Sequence, residues 1–189
     1  MPSMTEDLST WRRPAPPGPI TLEGNYALLA PLAPAHAAAL HAANAADPAI
    51  WDFMAYGPFP DAAAYAAWVE RVADRPDPRF FAILARGDAD PGGVASLMRV
   101  DPEHGAIEVG HICLAPGLQR TRAASEAILL LADWAFTAGY RRLEWKCDAR
   151  NAPSRQAATR YGFAFEGVFR RHMIVKGRNR DTAWFAMVD

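Results

Sequence analysis

The stretch from residue 107 to residue 163 constrains this chain more than any other. Residues 107–114 form an apolar run of strand composition, residues 115–122 a short basic loop, and an Ala/Leu-rich segment to 138 has helical spacing. Residues 143–147 are a second apolar strand, and Asn151-Ala152-Pro153-Ser154 opens a further helix, with proline in its first turn. The loop Gln119-Arg120-Thr121-Arg122-Ala123-Ala124 sits where a strand hands over to a helix. Free backbone N–H groups and the positive end of a helix dipole collect at such a place, and a phosphate binds there. The pattern points to a cofactor with a pyrophosphate, and hence to transferase chemistry.

The flanking sequence reads as one mixed sheet with helices on both faces. Residues 1–19 hold Pro14, Pro16, Pro17 and Pro19, which block helix and sheet, so an extended Pro-rich arm is expected there. Residues 20–189 are expected to form a single domain. A first strand falls at 25–32, and Pro34 opens an Ala-rich helix to about 44. Asp61 caps a helix to 73 with Tyr65, Trp68, Val69 and Val72 at helical spacing. Strands follow at 80–86 and 93–100, joined by the turn at 87–92, as an antiparallel meander that feeds the central unit. Two more strands, 165–176 and 182–188, flank a polar turn at 177–181, for a total of about seven strands.

Bulk properties exclude several classes. A net charge of −1 gives no support for nucleic-acid binding, which calls for a basic domain. No apolar run approaches the roughly 18 residues of a membrane span. Residues 1–7 lack the basic and apolar parts of a signal peptide, so the cytoplasm is the expected location. Cys113 and Cys147 have neither framework nor metal spacing and read as reduced, buried thiols; no metal is expected. A dinucleotide site is excluded, because no G-x-G-x-x-G follows a strand and no G-K-[ST] loop is present.

Seven motifs in order resemble the GNAT acetyltransferases, and especially their Rim-type (RimJ/RimL-like) branch, which acetylates protein N-termini. They are Tyr56-Gly57-Pro58-Phe59, Glu108-Val109-Gly110-His111, Gln119-Arg120-Thr121, Glu144-Trp145-Lys146-Cys147-Asp148, Asn151-Ala152-Pro153-Ser154, Tyr161-Gly162-Phe163 and Phe165-Glu166-Gly167. The resemblance covers residues 20–189 and implies a mostly antiparallel α/β sheet with a splayed parallel pair. It implies acetyl-CoA as donor, coenzyme A as product and an amine as acceptor. In that family the pyrophosphate rests on a loop whose positions here are Gln119, Arg122 and Ala124; residues Gln119, Arg120, Thr121, Arg122, Ala123 and Ala124 are the implied cradle. Arg122 stands where the family has glycine, so its side chain must point away or add a cation. The pantetheine arm would lie as a pseudo-strand against Ile112, Cys113 and Leu114, one of whose N–H groups would polarise the thioester carbonyl. Asn151 would contact the pantetheine, with a plain helix cap as its alternative. The family's usual acid, a Tyr seven residues after this Asn, is Ala158 here. By resemblance Ser154 takes over, stabilising the leaving thiolate.

Direct transfer requires a neutral amine. An α-amine has a pKa of about 8 against about 10.4 for lysine, so a weak base suffices for the former. Glu108 and His111 are the candidates, with Glu108 favoured. Their odd spacing puts them on opposite faces of a strand unless a bulge intervenes. The branch's other base, a Glu in the strand after Gly167, is missing among Arg170, Arg171, His172 and Met173, which leaves His172 as a further candidate. Trp51, Tyr56 and Phe59 are expected at the mouth of the acceptor site, together with Trp145 or Lys146. The acceptor is expected to be a protein or peptide N-terminus. A small amine (a polyamine, an amino acid or an antibiotic) and a non-catalytic acyl-CoA-binding module are the alternatives. Neither a monomer nor a homodimer is singled out.

Overall fold

The computed structural model describes residues 7–189. The chain forms β1 (Leu22–Glu23), β2 (Ala27–Pro31), α1 (Ala37–Asn44), α2 (Ala62–Ala73), β3 (Arg79–Ala85), β4 (Gly93–Asp101) and β5 (Ala106–Leu114). It continues with α3 (Arg122–Thr137), β6 (Arg142–Asp148), α4 (Ala152–Arg160), β7 (Ala164–Val175) and β8 (Arg178–Val188). These strands make one sheet of eight, ordered β1-β2-β3-β4-β5-β6-β8-β7. Every neighbouring pair is antiparallel except β5 with β6. The eighth strand is the two-residue β1, too short to leave an alternating pattern in the sequence.

Two layers of side chains cover the sheet. α3 turns Ala123, Ala124, Ala127, Ile128, Leu131, Ala132 and Ala135 onto one face, a stripe at three- and four-residue spacing. It meets Phe81, Ile83, Ala95, Leu97, Ile107, Val109 and Leu143 there. α2 buries Tyr65, Trp68, Val69 and Val72 against Phe80, Ala82, Val94 and Cys113 on the other face. β3 is therefore apolar on both sides, which is why it reads as an unbroken apolar run. Truncating Phe81, which is fully buried, to alanine would cost about 3–5 kcal/mol. α2 begins where expected, with the Asp61 carboxylate accepting from the Ala64 N–H at 2.8 Å.

Two local departures matter for the site. Gly110 lies opposite Ser96 and Cys113 opposite Val94, so β5 carries one more residue than β4 between these rungs. His111, with φ of 50°, absorbs the insertion as a β-bulge. At the C-terminal end the polar turn is shorter than the expected 177–181. Val175 pairs with Arg178, and only Lys176 and Gly177, both at positive φ, form the loop. Two successive left-handed residues match the right-handed twist of a hairpin, so residues 178–181 stay in the strand.

Residues 7–19 contain no regular element. They cross the end of the sheet away from the β5–α3 loop. Trp11 Nε1 donates to the Gly139 carbonyl at 3.3 Å, Arg13 pairs with Glu103 at 3.2 Å, and Tyr140 Oη donates to the Ala15 carbonyl at 3.2 Å. Residues 1–6 of the expected arm lie outside the described residues.

Candidate active site

The parallel pair opens partway along. β5 and β6 are paired from Ala106 opposite Arg142 to Val109 opposite Trp145, and no further. Beyond that point β5 pairs only with β4, through Cys113 and Leu114, and β6 only with β8, through Lys146, Cys147 and Asp148. Residues 110–114 and 146–148 thus flank a wedge with backbone edges on each side.

The β5–α3 loop lies at the mouth of this wedge. Thr121 is the N-cap of α3: its Oγ1 accepts from the Ala124 N–H at 3.1 Å and donates to the Leu118 carbonyl at 2.7 Å. Arg120 takes φ of 60°, the left-handed conformation that turns the chain into the helix. Among the described residues the N–H groups of Arg120, Arg122 and Ala123 have no acceptor, so three donors at a positive helix end point outward together. Arg122 swings its side chain away, donating to Tyr26 Oη at 3.1 Å and lying over that ring. This turns the guanidinium toward Tyr26 and away from the loop's free N–H groups. Gln119 Nε2 donates to the Leu114 carbonyl at 2.9 Å and ties the loop to the end of β5.

Asn151 caps α4 across the wedge. Its side-chain oxygen accepts from the Ser154 N–H at 3.1 Å, the plain helix-cap geometry. Ser154 Oγ accepts from Trp145 Nε1 at 3.1 Å. Because the indole supplies that proton, the Ser154 hydroxyl keeps its own for donation elsewhere. Cys147 lies beside it: burial raises the thiol's pKa, and the Ser154 hydroxyl pulls the other way. Trp145 does not line the acceptor side as expected. It is buried with Tyr161 and Phe163 on the α3 face, and only Lys146, its neighbour, reaches the opposite face. Ala158, where a tyrosine acid would stand, is fully buried.

The bulge at His111 brings Glu108 and His111 to the same face. His111 packs on Phe80 and Tyr56, with ring centroids at 4.9 and 5.8 Å. Ser96 Oγ donates to the Gly110 carbonyl at 3.2 Å and lies 2.9 Å from His111 Nδ1. In the tautomer with the proton on Nδ1, Nε2 keeps a lone pair. Burial lowers the His111 pKa to about 4, helped by the charges of Arg99 and Arg180, so the ring is neutral near pH 7. Glu108 is buried, and its Oε2 accepts from Arg99 at 2.7 Å and from Lys146 at 3.0 Å. Lys146 in turn meets Glu144 at 2.6 Å and lies 3.8 Å from the centre of the Trp184 ring. This carboxylate is engaged on both sides, an arrangement suited to anchoring two strands. His172 is tied to Thr182 Oγ1 at 2.9 Å on an exposed stretch of β7.

Trp51, Tyr56 and Phe59 do come together. With Tyr65 and Trp68 they form an aromatic cluster in which Tyr56 stacks on Trp68 at 4.6 Å. Gly57, at φ of 65°, has to be glycine, since a Cβ there would sit 2.5 Å from the Trp51 ring. The Tyr56 hydroxyl is buried without a partner among the described residues, and burial raises its pKa well above the usual value. Trp51 is buried in the cluster, and its carbonyl accepts from Lys176 at 2.8 Å, which pins the aromatic loop to the β7–β8 hairpin. Cys113 lies under the cluster, where burial raises its pKa to about 12; a thiol that stays protonated is a poor nucleophile. Among the described residues no group of His, Cys, Asp and Glu could hold a metal ion. No helix among them is long and apolar enough to cross a membrane.

A sheet wedged open between two parallel strands, with a helix N-terminus at its mouth and a free hydroxyl on its rim, defines an acyl-CoA-dependent acetyltransferase fold. Residues 27–164 match the acetyltransferase (GNAT) domain family, and the chain belongs to that family. A probable GNAT-family acetyltransferase from Chromobacterium violaceum is 40% identical, with a TM-score of 0.92 over 100% of this chain and 96% of the other. A GCN5-related N-acetyltransferase from Brucella melitensis is also 40% identical, with a TM-score of 0.93 over 96% of this chain and 84% of the other. An uncharacterized N-acetyltransferase of Bacillus licheniformis is 27% identical across 146 residues, 75% of this chain and 82% of that relative.

Proposed function

We propose that the protein transfers an acetyl group from acetyl-CoA to a primary α-amine by direct attack in a ternary complex. The observation that carries this reading is the wedge between β5 and β6, with the three free N–H donors of the α3 start at its mouth and the Ser154 hydroxyl on its far rim. The residues fit the donor: outward N–H groups suit a pyrophosphate, and the unpaired edges of residues 110–114 suit the amides of a pantetheine arm.

The amine nitrogen attacks the thioester carbonyl, the C–S bond breaks and the thiolate leaves. An N–H of residues 112–114 stabilises the developing oxyanion, Ser154, held by Trp145, donates a hydrogen bond to the leaving thiolate, and the proton that the attacking nitrogen sheds passes through solvent to that sulfur. His111 offers the bare Nε2 to the amine. A ring with a pKa of about 4 orients an amine better than it deprotonates one, so the reaction draws on the neutral fraction of the acceptor already present in solution. That favours an α-amine of pKa about 8 over a lysine side chain. Glu108, with its two cations, holds the strands that carry His111. The resemblance to the Rim-type branch supports a peptide N-terminus as acceptor. A cavity of about 470 Å³ between the aromatic loop and the β7–β8 hairpin supports a second reading, a small-molecule amine.

The test is release of CoA thiol from acetyl-CoA over N-terminal peptides, amino acids and polyamines, with a no-acceptor control. Turnover on an α-amine class is expected. Tight CoA binding with no turnover on any amine would instead point to a binding module.

A further inference from the structure

The cavity beside the aromatic loop has an unusual charge. Its wall carries Arg150, Lys176, Arg178 and Arg180 against Asp52 and Asp148. Two of these cations are already engaged: Arg150 with Asp148 at 2.8 Å, and Lys176 with the Trp51 carbonyl. Arg178 and Arg180 have no carboxylate partner among the described residues. Arg180 is half-buried, and its Nε is buried without a hydrogen-bond partner among the described residues. That N–H has lost water and gained nothing in return, while the rest of the guanidinium stays accessible to an anion that could pair with it.

Its position adds direction. Alternation along β8 puts Arg180, Thr182 and Trp184 on one face. Lys146 stacks on Trp184 from that side, so this is the face toward which Glu108 and His111 also turn. Arg180 is close enough to His111, Cys147 and Asp148 for its charge to act on all three. The guanidinium therefore borders the wedge where the amine would stand, while Arg178 lies farther out on the same cavity wall.

We propose that Arg180, with Arg178 beside it, is an anion-binding subsite, and that the acceptor is a small primary amine carrying a carboxylate or phosphate group. This rests on the reading of the wedge as an acetyl-transfer site and names the class of acceptor for it. A guanidinium matches either anion with two parallel N–H···O bonds. A polyamine would meet like charge in the same place.

The test compares wild type with Arg180→Ala and Arg180→Lys. Calorimetry with acetyl-CoA comes first; all three proteins should bind it alike, and failure of the wild type to bind would sink the donor reading alone. Inorganic phosphate is then titrated at saturating CoA, which covers the α3 N-terminus, with tryptophan fluorescence as the signal. Saturable binding is expected, weakened about tenfold or more by Arg180→Ala and less by Arg180→Lys. Equal affinity in wild type and Arg180→Ala, or no saturation, overturns the subsite. Finally, leucylglycine and O-phosphoserine amide, α-amines that carry a carboxylate or a phosphate, are compared with leucinamide and spermidine as acceptors. The anionic amines should have the higher kcat/KM, and Arg180→Ala should raise their KM about tenfold while the KM for acetyl-CoA stays put. Spermidine or leucinamide as the better acceptor would overturn the proposed class.

Discussion

His111 owes its environment to one inserted residue. The bulge turns the ring onto Phe80 and Tyr56, where burial holds its pKa down to about 4 against an ordinary value of 6.5. The unfolded chain therefore binds this proton at a higher pH than the folded one. Stability tied to neutral His111 is fully present above pH 6.5 and is lost as pH falls toward 4. Thermal melts at pH 7 and pH 5 should show a smaller drop for His111→Asn than for wild type, and equal drops would refute the assignment. The same depressed value makes kcat/KM rise with pH along the acceptor's own pKa of about 8, with no inflection near 6.5. A histidine titration in that profile would show that the ring works as a charged base. Ser154→Ala should lower kcat about tenfold or more with little change in acetyl-CoA affinity; an unchanged kcat would remove Ser154 from the reaction. The Ser154 position was legible, since Asn151 and Pro153 mark a helix start. The bulge was not: a histidine at positive φ leaves no signature, and only the odd spacing of Glu108 and His111 raised the question. Nor could alternation alone say that Trp145 would face the core and hold Ser154 while Lys146 turned to Glu108.

At the scale of elements, helix starts and apolar strands were the readable parts. Asp61 and Thr121 cap α2 and α3, and the paired apolar runs 107–114 and 143–147 place β5 and β6 to within a residue. What failed was the last hairpin, where polar residues 178–181 read as a loop. Residues 178–180 border the cavity, Asp181 accepts from the Arg171 N–H and the Asn179 amide, and β-propensity yields to a tight turn at Lys176 and Gly177. That miss hid Arg180. Thr121→Ala should cost about 1 kcal/mol of stability by leaving the Ala124 N–H uncapped. It should also weaken acetyl-CoA binding, because the free donors at 120–123 lose their fixed aim; a full-affinity variant would argue that the loop is held by Gln119 alone. Between elements, Lys146→Met leaves Glu108 buried with only the half-exposed Arg99. Denaturant melts should record a loss of about 3–5 kcal/mol, as for a broken buried pair. A change below about 1 kcal/mol would mean the pair is dispensable.

Across the whole molecule the chain's two ends have separate work. The N-terminal arm fastens the far end of the sheet through Trp11, Arg13 and Ala15, while the wedge and the cavity lie at the opposite end. Trp11→Ala should therefore lower stability by about 1–2 kcal/mol and leave both KM values unchanged, a split that steady-state kinetics and a melt can read together. Altered kinetics would mean the arm reaches the site. The antiparallel part of the sheet is complete without any ligand, but β5 and β6 share only their first four rungs. Beyond those rungs residues 110–114 are paired on the β4 side alone and residues 146–148 on the β8 side alone, so the ladder is interrupted there inside the sheet. Whatever fills that gap contributes to folding as well as to chemistry. At a hundred times its dissociation constant a bound thioester would add about 2.7 kcal/mol to global stability. Its scarcity would leave the same seam exposed to proteases, so the lifetime of the protein would follow the supply of the molecule it consumes.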